Sequence, residues 1–127
     1  MVSSPKNVRK NLKTFKVPKL SNMKFKVFRT KTFDKLFDKL PKSEQKEIER
    51  FEEKLVENPF VGKPLGLIFF REKKLNGRRV YYLIYEDIVV VLMAAISNKK
   101  TQQATIDAIK EKLEEYHKIV KETLKRI

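Results

Sequence analysis

Between Arg71 and Arg79 the chain carries five basic residues and one acid, Glu72, set on either side of Asn76-Gly77. Both turn residues tolerate positive φ, so this is the strongest hairpin signal in the sequence. A two-residue loop fixes the register: Lys74 opposite Arg79, Glu72 opposite Tyr81, Lys73 opposite Val80 and Arg71 opposite Tyr82. Opposed residues share a face. Val80, Tyr82 and Ile84 alternate with Arg79, Tyr81 and Leu83, so the first set is expected to pack on helices and the second to line an open, basic groove. Such a groove suits RNA cleavage without a metal. The ribose 2′-OH must lose a proton while the attacked phosphate gathers negative charge, and one base or hydroxyl relay plus two or more fixed cations can serve both needs. Arg79 suits the phosphate because a guanidinium makes paired hydrogen bonds. Lys74 and Lys99 would neutralise charge, and Glu72 or Tyr81 would move protons. The plainer alternative is that these are solvated charges flanking a turn.

The elements that must position this hairpin are legible from periodicity. Met23, Phe25 and Val27 alternate with Lys24 and Lys26, which predicts a half-buried strand. Thr32 is the expected cap of a helix bearing Phe33, Leu36, Phe37 and Leu40. Pro41 then ends that helix or opens a second one, whose stripe is Ile48, Phe51 and Leu55 and which stops at Asn58-Pro59. Residues 61–67 read as a loop, followed by strands over 68–75 and 78–85. The run from Ile88 to Ile96 is nearly continuous and rich in β-branched residues, as expected of a strand covered on both faces. A final helix over about 101–127 carries Ile106, Ile109, Leu113, Tyr116 and Val120 on one stripe, for its own sheet or for a partner. The expected fold is α+β: an N-terminal strand, a helical hairpin, a three-stranded antiparallel meander completing the sheet, and a C-terminal helix.

Charge and composition point to the partner. The 127 residues carry a formal net charge of +14, and from Met1 to Phe33 there are ten basic residues and no acid. Phosphate backbone is the commonest polyanion for such a surface, though an anionic membrane surface would also attract it. Residues 1–21 have few apolar groups and read as a basic, flexible arm that orders on its partner, with residues 22–127 forming one domain. The RNA contacts expected of the arm are Lys10, Lys13, Lys16 and Lys19; those expected of the domain are Lys63, Arg71, Lys73, Arg78 and Lys100. There is no Cys, hence neither disulfide nor thiolate metal site. No metal or cofactor is expected. The longest apolar run is too short for a bilayer span and the N-terminus lacks the apolar run of a secretory signal. These features favour a cytoplasmic protein, while the acid-free start only faintly resembles a transit peptide.

The segment order and several motifs resemble the RelE/ParE toxin superfamily, especially its archaeal RelE-like branch. The motifs are Glu57-Asn58-Pro59-Phe60, Gly62-Lys63-Pro64-Leu65 and the run from Arg78 to Tyr85. The resemblance covers roughly residues 23 to 110. It implies the toxin of a type II toxin-antitoxin system: a ribosome-dependent endoribonuclease that cuts mRNA and is held in check by an antitoxin. Arg79 matches the Arg of the family's Tyr-Arg-hydrophobic-hydrophobic-Tyr strand. A gap at the turn would put Arg71 and Lys73 in the family's lysine positions, whereas the hairpin register favours Lys74. After the last strand, where family nucleases often carry Arg, His or Tyr, this chain has Lys99, Lys100, Thr101, Gln102 and Gln103. Its one histidine, His117, falls deep in the last helix. The departures keep open a catalytically weakened, ribosome-associated RNA-binding protein, and the ParE branch adds a topoisomerase-directed reading.

Overall fold

The structure, a computed structural model, describes residues 24–127. Met23 and the lysines of the arm, Lys10, Lys13, Lys16 and Lys19, lie outside them. The chain runs β1 (Lys26–Arg29), α1 (Lys31–Asp38), α2 (Lys42–Glu57), a 3₁₀ turn (Pro59–Val61), β2 (Lys63–Pro64), β3 (Phe70–Leu75), β4 (Arg78–Tyr85), β5 (Val90–Ser97), α3 (Gln102–Glu111) and α4 (Leu113–Arg126). Five strands make one sheet in the order β1-β5-β4-β3-β2, with β1 parallel to β5 and every other pair antiparallel. This is the expected α+β plan, with the two-residue β2 added at the edge.

Each face of the sheet is covered. Phe33 and Phe37 of α1 with Ile48, Phe51 and Leu55 of α2 pack on Val80, Tyr82 and Ile84 of β4 and on Val91 and Met93 of β5. Ile106 and Ile109 of α3 and Val120 of α4 cover the opposite face, burying Phe70, Tyr81, Leu83 and Leu92. That second layer corrects one expectation. Tyr81 and Leu83 line no open groove, because the C-terminal stripe packs on the chain's own sheet and leaves both with 0% exposure.

Other boundaries also differ from the sequence reading: β1 is Lys26–Arg29 and β3 begins at Phe70 rather than at Ile68. Thr30, rather than Thr32, caps α1: its Oγ1 accepts from the Phe33 amide at 3.0 Å and donates to the Ala94 carbonyl at 2.8 Å. Thr30 sits in extended backbone at the end of β1, which is the geometry a cap requires. The apolar run starting at Ile88 becomes strand only at Val90, since Val89 turns the chain at φ 56°. Finally, α3 and α4 replace the single expected helix. The break at Lys112 is marked by a short-range bond from its amide to the Ile109 carbonyl at 3.0 Å, and both halves keep their apolar stripe on the sheet.

Candidate nucleic-acid interface

The hairpin turn has the two positive φ values that its sequence demands, 52° at Asn76 and 88° at Gly77. The Asn76 side chain donates to Glu47 of α2 at 2.8 Å, which anchors the tip. Lys74 stands opposite Arg79, Glu72 opposite Tyr81, Lys73 opposite Val80 and Arg71 opposite Tyr82. Lys74, Glu72 and Arg79 therefore project from the face that α3 and α4 cover, at the hairpin end. There the surface opens into a depression of about 510 Å³ lined by Lys63, Glu72, Lys73, Lys74, Arg79 and Gln102.

At its floor Arg79 Nε lies 3.8 Å from Glu72 Oε2, and these side chains are only 12% and 9% exposed. Gln102, in the first turn of α3, donates to the same Glu72 oxygen at 2.7 Å. Beneath them the Tyr81 hydroxyl shares a 2.8 Å hydrogen bond with Ser97 Oγ. Burial pushes the Tyr81 pKa upward; Ser97 opposes that shift, and the nearby Glu72 carboxylate adds to it. The phenol accordingly stays neutral at ordinary pH. A buried neutral hydroxyl does not serve as a surface proton shuttle, so the structure moves Tyr81 from the expected groove lining to its support.

Two further residues change character. Arg71 was expected to meet RNA, but it is buried. It donates to the carbonyls of Gly62 at 2.8 Å, Ile68 at 2.9 Å and Phe60 at 3.3 Å, with its guanidinium 5.2 Å from the centre of the Phe60 ring. It staples the loop that follows α2. Lys73 leans toward that same side, its ammonium 6.0 Å from the Phe51 ring centre, and is half-buried. Arg78 is half-buried and bonded to Glu44 at 2.9 Å. Lys63, Lys74, Lys99 and Lys100 are exposed, the last two in the turn between β5 and α3. His117 is remote from the hairpin end: it stacks on Tyr85 at 5.1 Å between ring centres.

Gln102 and Ser97 are the contributors that sequence reasoning missed. Gln102 meets a residue thirty positions away, and no periodicity announces such a contact. Ser97 falls just past the apolar run that ends at Ile96, whereas it is the last residue of β5, opposite Arg79. Among the described residues no cluster of three or more His, Asp or Glu side chains is placed to hold a metal ion, and no helix is long and apolar enough to cross a membrane.

No protein-family model matches the chain, and no curated protein matches it. Solved structures do. A doubly substituted E. coli RelE toxin in the free state superposes with a TM-score of 0.61 at 18% identity, over 70% of this chain and 98% of that one. A chain of the archaeal RelE-RelB complex of Pyrococcus horikoshii gives 0.54 at 20% identity, over 61% and 97%. A chain of the RelBE2 toxin-antitoxin complex of Mycobacterium tuberculosis gives 0.55 at 22% identity, over 61% and 94%. The chain thus has the fold of the RelE toxins.

Proposed function

We propose that this protein is a RelE-like toxin, binding single-stranded RNA across the hairpin end of the sheet and cutting mRNA on the ribosome without a metal, and that a RelB-like antitoxin restrains it. The observation that carries this reading is the convergence of Lys74, Arg79 and Glu72 in one open depression. Two cations there face one carboxylate, the minimum set for transfer of a 2′-OH proton onto a base while a phosphate gathers charge. Arg79 holds the phosphate, Lys74 and Lys99 offset its charge, and Glu72 takes the 2′-OH proton. The O2′–P bond then forms as P–O5′ breaks, and O5′ takes a proton from water. Gln102 keeps one Glu72 oxygen turned toward α3 and leaves the other for the ribose. The partner is inferred from neighbours whose structures hold toxin and antitoxin together.

A second reading has its own observation. Glu72 is already engaged by Arg79 and Gln102, and Tyr81 has no exposed surface, which suits a RelE-fold protein that grips RNA without cutting it. The two separate in one experiment. Purified protein is added to translating ribosomes, mRNA ends are mapped by primer extension, and Glu72→Gln is run beside the wild type. New ends that fall about a hundredfold or more in the variant, while its ribosome binding persists, mark Glu72 as the base of a working toxin. Co-sedimentation without new ends establishes the binding protein. Neither binding nor cutting removes RNA from the account.

A further inference from the structure

On the opposite side of the same strand ends lies a second cavity of about 250 Å³, between the C-terminal part of α1 and the exit from β5. Leu36, Leu40 and Ile96 form its apolar walls, with Lys39, Arg78 and Asn98 among its polar lining. It adjoins the depression just described: Arg78 precedes Arg79 in β4, and Ser97, which lines the cavity, stands opposite Arg79 in the sheet. It is smaller than the roughly 300–1,000 Å³ typical of sites for drug-sized ligands. One flat, unstacked ring system is the scale of ligand it suits.

Its hydrogen-bonding character is one-sided. Asn98 Oδ1 accepts from the Thr101 amide at 3.1 Å and from the Thr101 hydroxyl at 3.2 Å. A backbone N–H can only donate, so the side-chain amide is oriented with its oxygen toward Thr101 and its NH₂ left to donate. Arg78 uses Nε on Glu44, and its terminal nitrogens make no hydrogen bond among the described residues. Lys39 is exposed. Two hydroxyls also line the cavity, but Thr101 is turned to Asn98 Oδ1 and Ser97 is held between the Asn98 carbonyl and the Tyr81 hydroxyl, so the side chains with hydrogens to offer, Asn98, Arg78 and Lys39, predominate above walls that accept a π-face.

We infer that this cavity receives one splayed-out base of the RNA held in the neighbouring depression and selects the keto bases, guanine and uracil, over the amino bases, adenine and cytosine. The inference rests on the RNA reading above. Single-stranded RNA is commonly read by splaying a base out, packing its face and bonding its edge. A ring of donors matches the O6 and N7 of guanine or the O4 of uracil, whereas the exocyclic amines of adenine and cytosine would point hydrogen at hydrogen.

The test uses labelled six-nucleotide strands, 2′-O-methylated to block cleavage and abasic except at one central position carrying G, U, A or C. Binding is read by fluorescence anisotropy for the wild type and for Asn98→Asp. That variant keeps the oxygen that receives Thr101 and exchanges the donor for an acceptor. The wild type should bind the G and U strands about tenfold more tightly than the A and C strands. In Asn98→Asp the added charge should weaken all four strands, and the keto preference should vanish. Equal affinity of the wild type for all four strands would overturn the base pocket while leaving the phosphate site intact. A preference that survives Asn98→Asp would equally overturn it, by placing the base elsewhere. Failure of the wild type to bind any strand, at any salt concentration, would bring down the RNA reading itself.

Discussion

Arg71 and Arg79 belong to one hairpin, yet they project from opposite faces and serve different ends. Arg71 faces α2 and the loop after it, and its guanidinium is consumed by three backbone carbonyls. Arg79 faces the C-terminal helices at the point where their cover stops, and the acid it pairs with is Glu72 at 3.8 Å. The difference teaches that charge in this hairpin is not uniformly available. One face uses cations to close a loop; the other holds them at the rim of an open depression.

The largest effect should come from breaking the structural member of the pair. Arg71→Met leaves the carbonyls of Gly62, Ile68 and Phe60 without their partner, and a loss of about 3 kcal/mol is expected from three charge-assisted hydrogen bonds, the one to Gly62 buried and the others part-buried. Urea melts should show a lower midpoint. Arg79→Ala should move that midpoint far less, because its side chain shares Glu72 with Gln102, and should instead weaken RNA binding about tenfold or more. Equal destabilisation by both variants would erase the distinction between the faces.

Tyr82 belongs with Arg71. Its hydroxyl donates to the Pro59 carbonyl at 2.8 Å and accepts from the Gly62 amide at 2.9 Å, and an added Cβ at Gly62 would lie 2.5 Å from that oxygen. Burial pushes the Tyr82 pKa up to about 12. A phenol whose folded pKa is raised contributes its full stability below the unfolded value near 10 and loses it as pH rises toward 12. Tyr82→Phe should cost about 1–3 kcal/mol at neutral pH by stranding two buried backbone groups. It should also flatten the decline of stability between about pH 10 and 12. Tyr85, likewise pushed up to about 12 by burial, keeps part of that decline in the variant. Melts at several alkaline pH values read both quantities. An unchanged alkaline slope would show that Tyr82 does not titrate with unfolding.

How far the sequence foretold this arrangement depends on the range of the interaction that decides it. The hairpin register followed from two residues, Asn76 and Gly77, and every pair expected from it appears. The stripes of α1, α2 and the C-terminal helices followed from period 3.6. The cover over Tyr81 and Leu83 did not follow, because an amphipathic stripe reads the same whether it packs on its own sheet or on another molecule. Arg71 and Arg79 are alike by type, and the register sets them on opposite faces; what was not legible is that the loop after α2 folds back over Arg71 and takes up its guanidinium. The cap on α1 was misread because Thr30 and Thr32 have the same chemistry, and the end of β1 places Thr30. Gln102 was invisible as a partner of Glu72 since nothing local links them.

The finest division is between neighbours, Lys73 and Lys74. A one-residue step in a strand reverses the face: Lys74 is exposed beside Arg79, while Lys73, which borders the depression, is half-buried and carries its ammonium toward the Phe51 ring. If the depression tracks an RNA backbone, each lysine that neutralises a phosphate contributes about 0.7 to the slope of log affinity against log salt. Lys74→Ala should therefore lower that slope by about 0.7 at every sequence tested, whereas Lys73→Ala should leave it within error and cost only modest stability. Titrations of a labelled single strand at several salt concentrations measure both. Equal slope changes would mean that the Lys73 ammonium swings out to the phosphates and that the two faces of the hairpin share one electrostatic surface. A change confined to Lys73 would place the RNA on the α2 side, against the geometry of Arg79 and Glu72. The step of one residue is thus the smallest perturbation that distinguishes a hairpin with one nucleic-acid face from a hairpin with two.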